Sequence, residues 1–443
     1  MTFLRNSKKS LFLLLITLVG AFCLRSIQLS DFNRVELDER GWILSGVSLL
    51  ETGVPKSWTV FWGSYPVDSY EFWTIGGKTG TVVAPYLDHP PLFSILVGGW
   101  SLLTQNATPA MFDWAVVRLP MVLIGVLTIL FSGLFVNRVF GQSQAWVTIL
   151  SFAVLPVSVL AARIVAAENL LALLVVVGLW LLSLLDKPAQ KRTTLVLAVM
   201  VLSFVAPLLK LSGFSLPLIF GMILWRAQLN RAALGTILAG VLGIGVYFIY
   251  GCSYDCQLLF TLLGDHSQRP QTFWYFFSLF GTPDIGYYIF PDSFALVGVI
   301  GSFFLALQPT QKQNWILVPW LVFGLLFLSV APIESYGWYK FISFPLIAIG
   351  LGYSWDQFWK GKMAWGLLIL PALLVMIENV HRTQSLVDLS SRSLIIFLYA
   401  PFFLFFAVPK WQASTLYSLW VGVLFGLTLM LQAIWTTGIL LNA

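Results

Sequence analysis

Apolar runs long enough to cross a lipid bilayer recur from one end of this 443-residue chain to the other, and they dominate what it can fold into. They occupy residues 11–29, 116–137, 144–162, 168–185, 193–209, 212–226, 232–250, 292–308, 314–331, 341–355, 363–377, 393–408 and 415–440. A span needs about 20 predominantly apolar residues, so the pattern predicts an all-α integral membrane protein of about thirteen crossings. Composition agrees: only 10% of residues are charged, whereas a soluble chain carries roughly 25%. So few charges cannot coat a water-facing surface of this size, which excludes a soluble enzyme or a nucleic-acid-binding protein. The chain is solvated by membrane lipids.

Charge predicts sidedness. Arg5, Lys8, Lys9, Arg138, Lys187, Lys191, Arg192, Arg226, Arg231, Lys312, Lys360, Lys362 and Lys410 gather at alternate ends of the windows, with Asp186 and Asp356 as the accompanying acids. Cationic ends stay cytoplasmic, so the N-terminus is expected inside. The run 11–29 is too long for a cleaved signal core and reads as an uncleaved first span. The other ends hold most of the acids, together with two long segments, 30–115 and 251–291. Within the first, residues 41–50 and 92–103 are apolar but too short to cross, and are expected as interfacial helices. The chain is read as one membrane domain, its C-terminal spans 350–443 carrying no recognised motif. Cys252 and Cys256 would pair if they face an oxidising compartment.

The candidate chemistry lies on the acidic face. Asp38-Glu39 follows the first span and reads either as a general-base pair or as a solvated acidic pair at a helix start. In Asp88-His89-Pro90-Pro91-Leu92 the prolines stiffen a turn and open a helix, fixing the direction of Asp88 and His89. Asp265-His266 with Arg269 occupies the second long segment. His266 reads as an ordinary structural histidine or, with Asp88, as a pair of ligands for a divalent metal ion. Arg118, Arg163, Glu168, Lys210, Glu334 and Lys340 lie near span ends on the same face, where ionisable groups are costly and functional by default. Together they predict an outward cavity suited to an anionic lipid headgroup.

The order of these motifs resembles the GT-C membrane glycosyltransferases, above all the protein O-mannosyltransferases and the lipid A aminoarabinose transferases (glycosyltransferase families 39 and 83). The matching features are the acidic pair Asp38-Glu39 after the first span, the DHPPL turn at 88–92, Arg118-Leu119-Pro120, Arg163 with Glu168, His266-Ser267-Gln268-Arg269, and Tyr339-Lys340 before Pro345. The match covers roughly residues 30–350. Glu168 stands where many relatives have Asp, Asp88 where the aminoarabinose branch has Glu, and Lys340 where Arg is usual.

The resemblance implies transfer of a sugar from a polyprenyl-phosphate donor to a hydroxyl of a lipid, glycan or protein acceptor, outside the cytoplasm. Asp38 is the expected base with Glu39 beside it. Arg163, Lys210, Arg269 and Lys340 would hold the donor phosphate, Asp88 and His266 a metal, and His89, Arg118, Glu168 and Glu334 would line the cavity. No glycine-rich nucleotide motif is present, so no nucleotide cofactor is expected. The alternative is a lipid or solute transporter or flippase, which predicts charges at mid-span depth and a symmetry-related repeat.

Overall fold

A computed structural model describes residues 8–30, 37–75, 78–106, 112–185, 189–268, 284–285, 288–289, 292–309, 311–330, 337–384 and 391–442. Each apolar window is occupied by helix. Among the described residues, six helices are long and apolar enough to cross a membrane by length and composition: Lys8–Ser26, Trp114–Val139, Arg192–Leu209, Asn230–Ser267, Met363–His381 and Thr415–Leu441. Further apolar helices are shorter, among them Pro91–Leu103, Ala167–Leu182 and Ser293–Ala306. The number of crossings therefore rests on the hydropathy pattern.

Proline interrupts the backbone hydrogen bonding of several helices, and at Pro120 the freed carbonyl finds a side-chain partner. Pro120 lies inside Trp114–Val139 and cannot donate to the Val116 carbonyl; the Trp100 indole donates to that oxygen instead, at 2.8 Å. Asp113 caps the same helix by accepting from the amides of Ala115 and Val116. Pro156 splits the 144–162 window into helices Gln142–Val154 and Pro156–Ala161.

The segment expected as loop 30–115 is built on two packed helices, Leu37–Thr52 and Pro91–Leu103. They touch through Gly46 and Gly98; a Cβ on Gly46 would lie 1.8 Å from the Ser94 carbonyl oxygen, so no larger residue fits. Between them runs a three-stranded antiparallel sheet in which Lys78–Val83 is central, flanked by Ser57–Trp58 and Tyr70–Ile75. Hydropathy windows did not reveal it, because two- and six-residue strands leave too short a pattern.

The window 232–250 continues as helix to Ser267, with a kink at Asp255, whose carboxylate accepts the Leu258 amide at 2.9 Å. A disulfide joins Cys252 and Cys256 across the kink. Beyond it, Leu258, Leu259 and Leu262 pack with Tyr65, Val83, Tyr86 and Leu87. The end of this helix is thereby brought over the first long segment.

Arg118 and Arg138 mark the two ends of Trp114–Val139, about 30 Å apart at 1.5 Å per residue. Arg138 donates to the Ser183 carbonyl. Arg118 turns into the cluster described next.

Candidate active site

Asp38 and Glu39 occupy the first turn of Leu37–Thr52, where the helix dipole favours ionised carboxylates. Successive helix residues point about 100° apart, and here the two side chains part company. Glu39 is fully buried and Asp38 is exposed. Glu39 Oε1 accepts from Arg118 Nη2 at 2.7 Å, and Oε2 from Arg118 Nε at 3.0 Å. Oε2 also accepts the Val165 amide at 2.9 Å, while Arg118 Nη1 donates to the Leu29 carbonyl at 3.1 Å. Glu39 is thus an anchor joining three segments, and Asp38 is the carboxylate left facing outward.

Buried cations lie close by. Arg163, after the short helix Pro156–Ala161, is buried and donates to the Gln28 carbonyl at 2.8 Å. Burial, and then the Arg118 charge, lower its guanidinium to about 9. Lys210 stands between Ala189–Leu209 and the 3-10 turn Leu211–Phe214. Its ammonium meets Glu168 Oε1 at 2.5 Å and lies 4.7 Å from the centre of the Tyr339 ring. Burial works against the Lys210 charge, but Glu168, Tyr339 and Asp38 outweigh it and raise its pKa. Lys340, next to Tyr339 in the 3-10 helix Gly337–Ser343, is also buried.

The Asp88-His89 turn forms a second wall. Asp88 Oδ1 accepts from the Tyr65 hydroxyl at 2.6 Å and Oδ2 from the Thr59 hydroxyl. Burial and the Asp88 carboxylate push the Tyr65 phenol far above its ordinary range, so it stays a donor. Burial raises Tyr86 too, with Asp88 and then Asp38 adding to it, which places both carboxylates in one electrostatic neighbourhood. His89 stacks on Trp42 at 4.6 Å, and Trp42 sits one turn after Asp38. His266 packs on Phe61 at 4.3 Å and lies 5.9 Å from the His89 ring, while neighbouring Asp265 accepts from the Ser64 hydroxyl.

His266 therefore does reach the DHPPL turn, but in an aromatic stack. Among the described residues no three His, Cys, Asp or Glu side chains are grouped to hold a metal. Asp88, the carboxylate expected as a metal ligand, has both oxygens engaged by hydroxyls. A zinc ion takes three or four protein ligands, more than Asp88 and His266 supply by themselves.

Arg269 and Glu334 lie outside the described residues. Among the others, ion pairs and electrostatic coupling link Asp38 with Lys210 and Glu168, and Glu39 with Arg118 and Arg163; Tyr86 feels both Asp38 and Asp88, His89 meets His266, and Lys340 is buried next to Tyr339. Sequence reasoning missed Thr59, Tyr65 and Trp42, which carry no local signal. Arg25 was missed as well, although a charge inside the first apolar run is itself a signal.

No protein-family model matches the sequence, and no curated protein matches it. Solved structures do match the fold. The crystal structure of ArnT from Cupriavidus metallidurans in the apo state has a TM-score of 0.62 at 16% identity, over 98% of this chain and 76% of that one. ArnT from the same organism bound to undecaprenyl phosphate has a TM-score of 0.59 at 18% identity, over 98% of this chain and 78% of that one. ArnT belongs to the GT-C superfamily, and at this identity the likeness is one of fold: the bundle is of GT-C type.

Proposed function

We propose that this chain is a membrane glycosyltransferase that moves a sugar from a polyprenyl-phosphate carrier to an acceptor hydroxyl on the extracytoplasmic side. The observation that carries the reading is the division of labour at 38–39: a locked, buried Glu39 beside an exposed Asp38, with buried cations close by. The GT-C fold and the undecaprenyl phosphate bound to ArnT point to the same donor class.

In this reading Asp38 accepts the proton of the acceptor hydroxyl as that oxygen attacks the anomeric carbon. The bond from that carbon to the phosphate oxygen breaks, and the carrier leaves as its phosphate with the bonding electrons, with inversion at carbon. A phosphate is already a weak base, so its departure needs positive charge more than a proton. Arg163, Lys210 and Lys340 supply that charge, with Glu168 holding Lys210 in place. Glu39 and Arg118 position Asp38 by fixing the first turn of its helix. In the sequence the charges lie near span ends instead of at mid-span positions, which favours this reading over a transporter.

The test is incubation of the purified protein with labelled polyprenyl-phosphate sugars and a panel of lipid, glycan and peptide acceptors. Transfer that requires Asp38 supports the reading. No transfer to any acceptor, with phosphate carriers crossing proteoliposomes instead, would replace it with a flippase.

A further inference from the structure

Arg25 lies in the last turn of the helix Lys8–Ser26, is fully buried, and its described hydrogen bonds all go to uncharged oxygens. Nη1 donates to the Ala153 carbonyl at 2.7 Å and to the Ala21 carbonyl at 3.2 Å. Nη2 donates to the Phe152 carbonyl at 3.1 Å and to the Ser158 hydroxyl at 2.9 Å.

Two of those carbonyls are the ones a proline would orphan. In an unbroken helix Phe152 would accept from residue 156 and Ala153 from residue 157. Residue 156 is proline, with no N–H, and the Val157 amide turns away to Asp292, at 3.4 Å. Arg25 fills both vacated positions, and its charge sits at the C-terminal end of Gln142–Val154, where the helix dipole favours a cation. Asp292 meets the amide end of the following segment. Gly125 leaves room for the break, since a Cβ there would lie 2.6 Å from the Ala162 Cβ and 3.4 Å from Arg25 Nε.

The short helix set off by this break leads directly to Arg163 and to the Val165 amide that binds Glu39. We infer that Arg25 is a positioning residue: it stabilises the break at Pro156 and so places Arg163 and the Val165 amide in the site. Its bearing on sugar transfer rests on the function proposed above, but the geometry does not.

The test is hydrogen exchange of the full-length protein in nanodiscs, read by mass spectrometry over 156–165 and, as reference, over 415–442. Loss of hydrogen bonds from a charged donor predicts local exchange faster by about tenfold or more over 156–165 in Arg25→Gln, with the reference unchanged. Arg25→Lys, which keeps a cationic donor, should restore part of the protection. Ser158→Ala removes a single acceptor, and should show a smaller rise confined to the same segment if the Arg25 variants fail to fold. Wild-type protection of 156–165 in a folded variant overturns the inference, as does an equal rise in both segments.

Where transfer is measurable, Arg25→Lys should raise the donor KM more than it lowers kcat and leave the pH profile in place. A wild-type protein that transfers no sugar defeats the proposed function and leaves the exchange result to decide on Arg25.

Discussion

Glu39 and Arg118, 79 residues apart, meet as a two-pronged ion pair in which both side chains are buried, with contacts of 2.7 and 3.0 Å. An adjacent exposed carboxylate would otherwise be free to swing with its helix end. The pair, together with the Val165 amide, holds the turn that carries Asp38.

Breaking that pair strands a buried charge, which costs about 3–5 kcal/mol. Glu39→Ala and Arg118→Ala are each expected to lower the thermal midpoint of the purified protein sharply. The Glu39→Gln/Arg118→Gln double variant should lose less than the two single losses combined. Midpoints unchanged in both alanine variants would show that the pair does not secure the site.

Asp38→Asn keeps shape but cannot take a proton. Transfer should slow by about 10²–10⁴-fold, the usual contribution of a general base, while donor affinity stays near wild type. Full activity in Asp38→Asn would remove Asp38 as the base.

Lys210 and Glu168 form the second buried pair. Lys210→Met should weaken donor binding through loss of a charge-assisted contact to phosphate, and should destabilise by leaving Glu168 buried without its ammonium partner. Pairing it with Glu168→Leu should recover stability but not donor affinity. Recovery of both would mean that Lys210 serves the fold alone.

The sidedness built into the mechanism is testable in intact cells. Val67 and Arg192 are both exposed, so a single cysteine introduced at either position, in a Cys23→Ser background, is open to reagent from one side. A membrane-impermeant maleimide should modify position 67 and spare position 192. The opposite pattern would place the candidate site in the cytoplasm.

What the sequence by itself determined is what depends on residues close together along the chain. Hydropathy accumulates over some twenty consecutive residues, so every apolar window became a helix, and Pro90 and Pro91 marked a helix start, whereas the break at Pro156 inside the window 144–162 came from the structure. Motif order sufficed for the GT-C type of bundle, because Asp38-Glu39, DHPPL and Arg118-Leu119-Pro120 each lie within a few residues.

Only the tertiary structure decided which side chains meet. Nothing near residue 39 announces that Glu39 is locked by Arg118 and by an amide at 165 while Asp38 stays outside, since burial depends on segments folded over it. For the same reason Asp88 found the hydroxyls of Thr59 and Tyr65, which lie 29 and 23 residues away. Arg25 completes the contrast. Its charge was visible in the first apolar run, but its partners are carbonyls of Phe152 and Ala153, more than 120 residues on, released by a proline in another helix. A buried guanidinium takes its partners from whatever acceptors meet it in space, and that meeting is a property of packing.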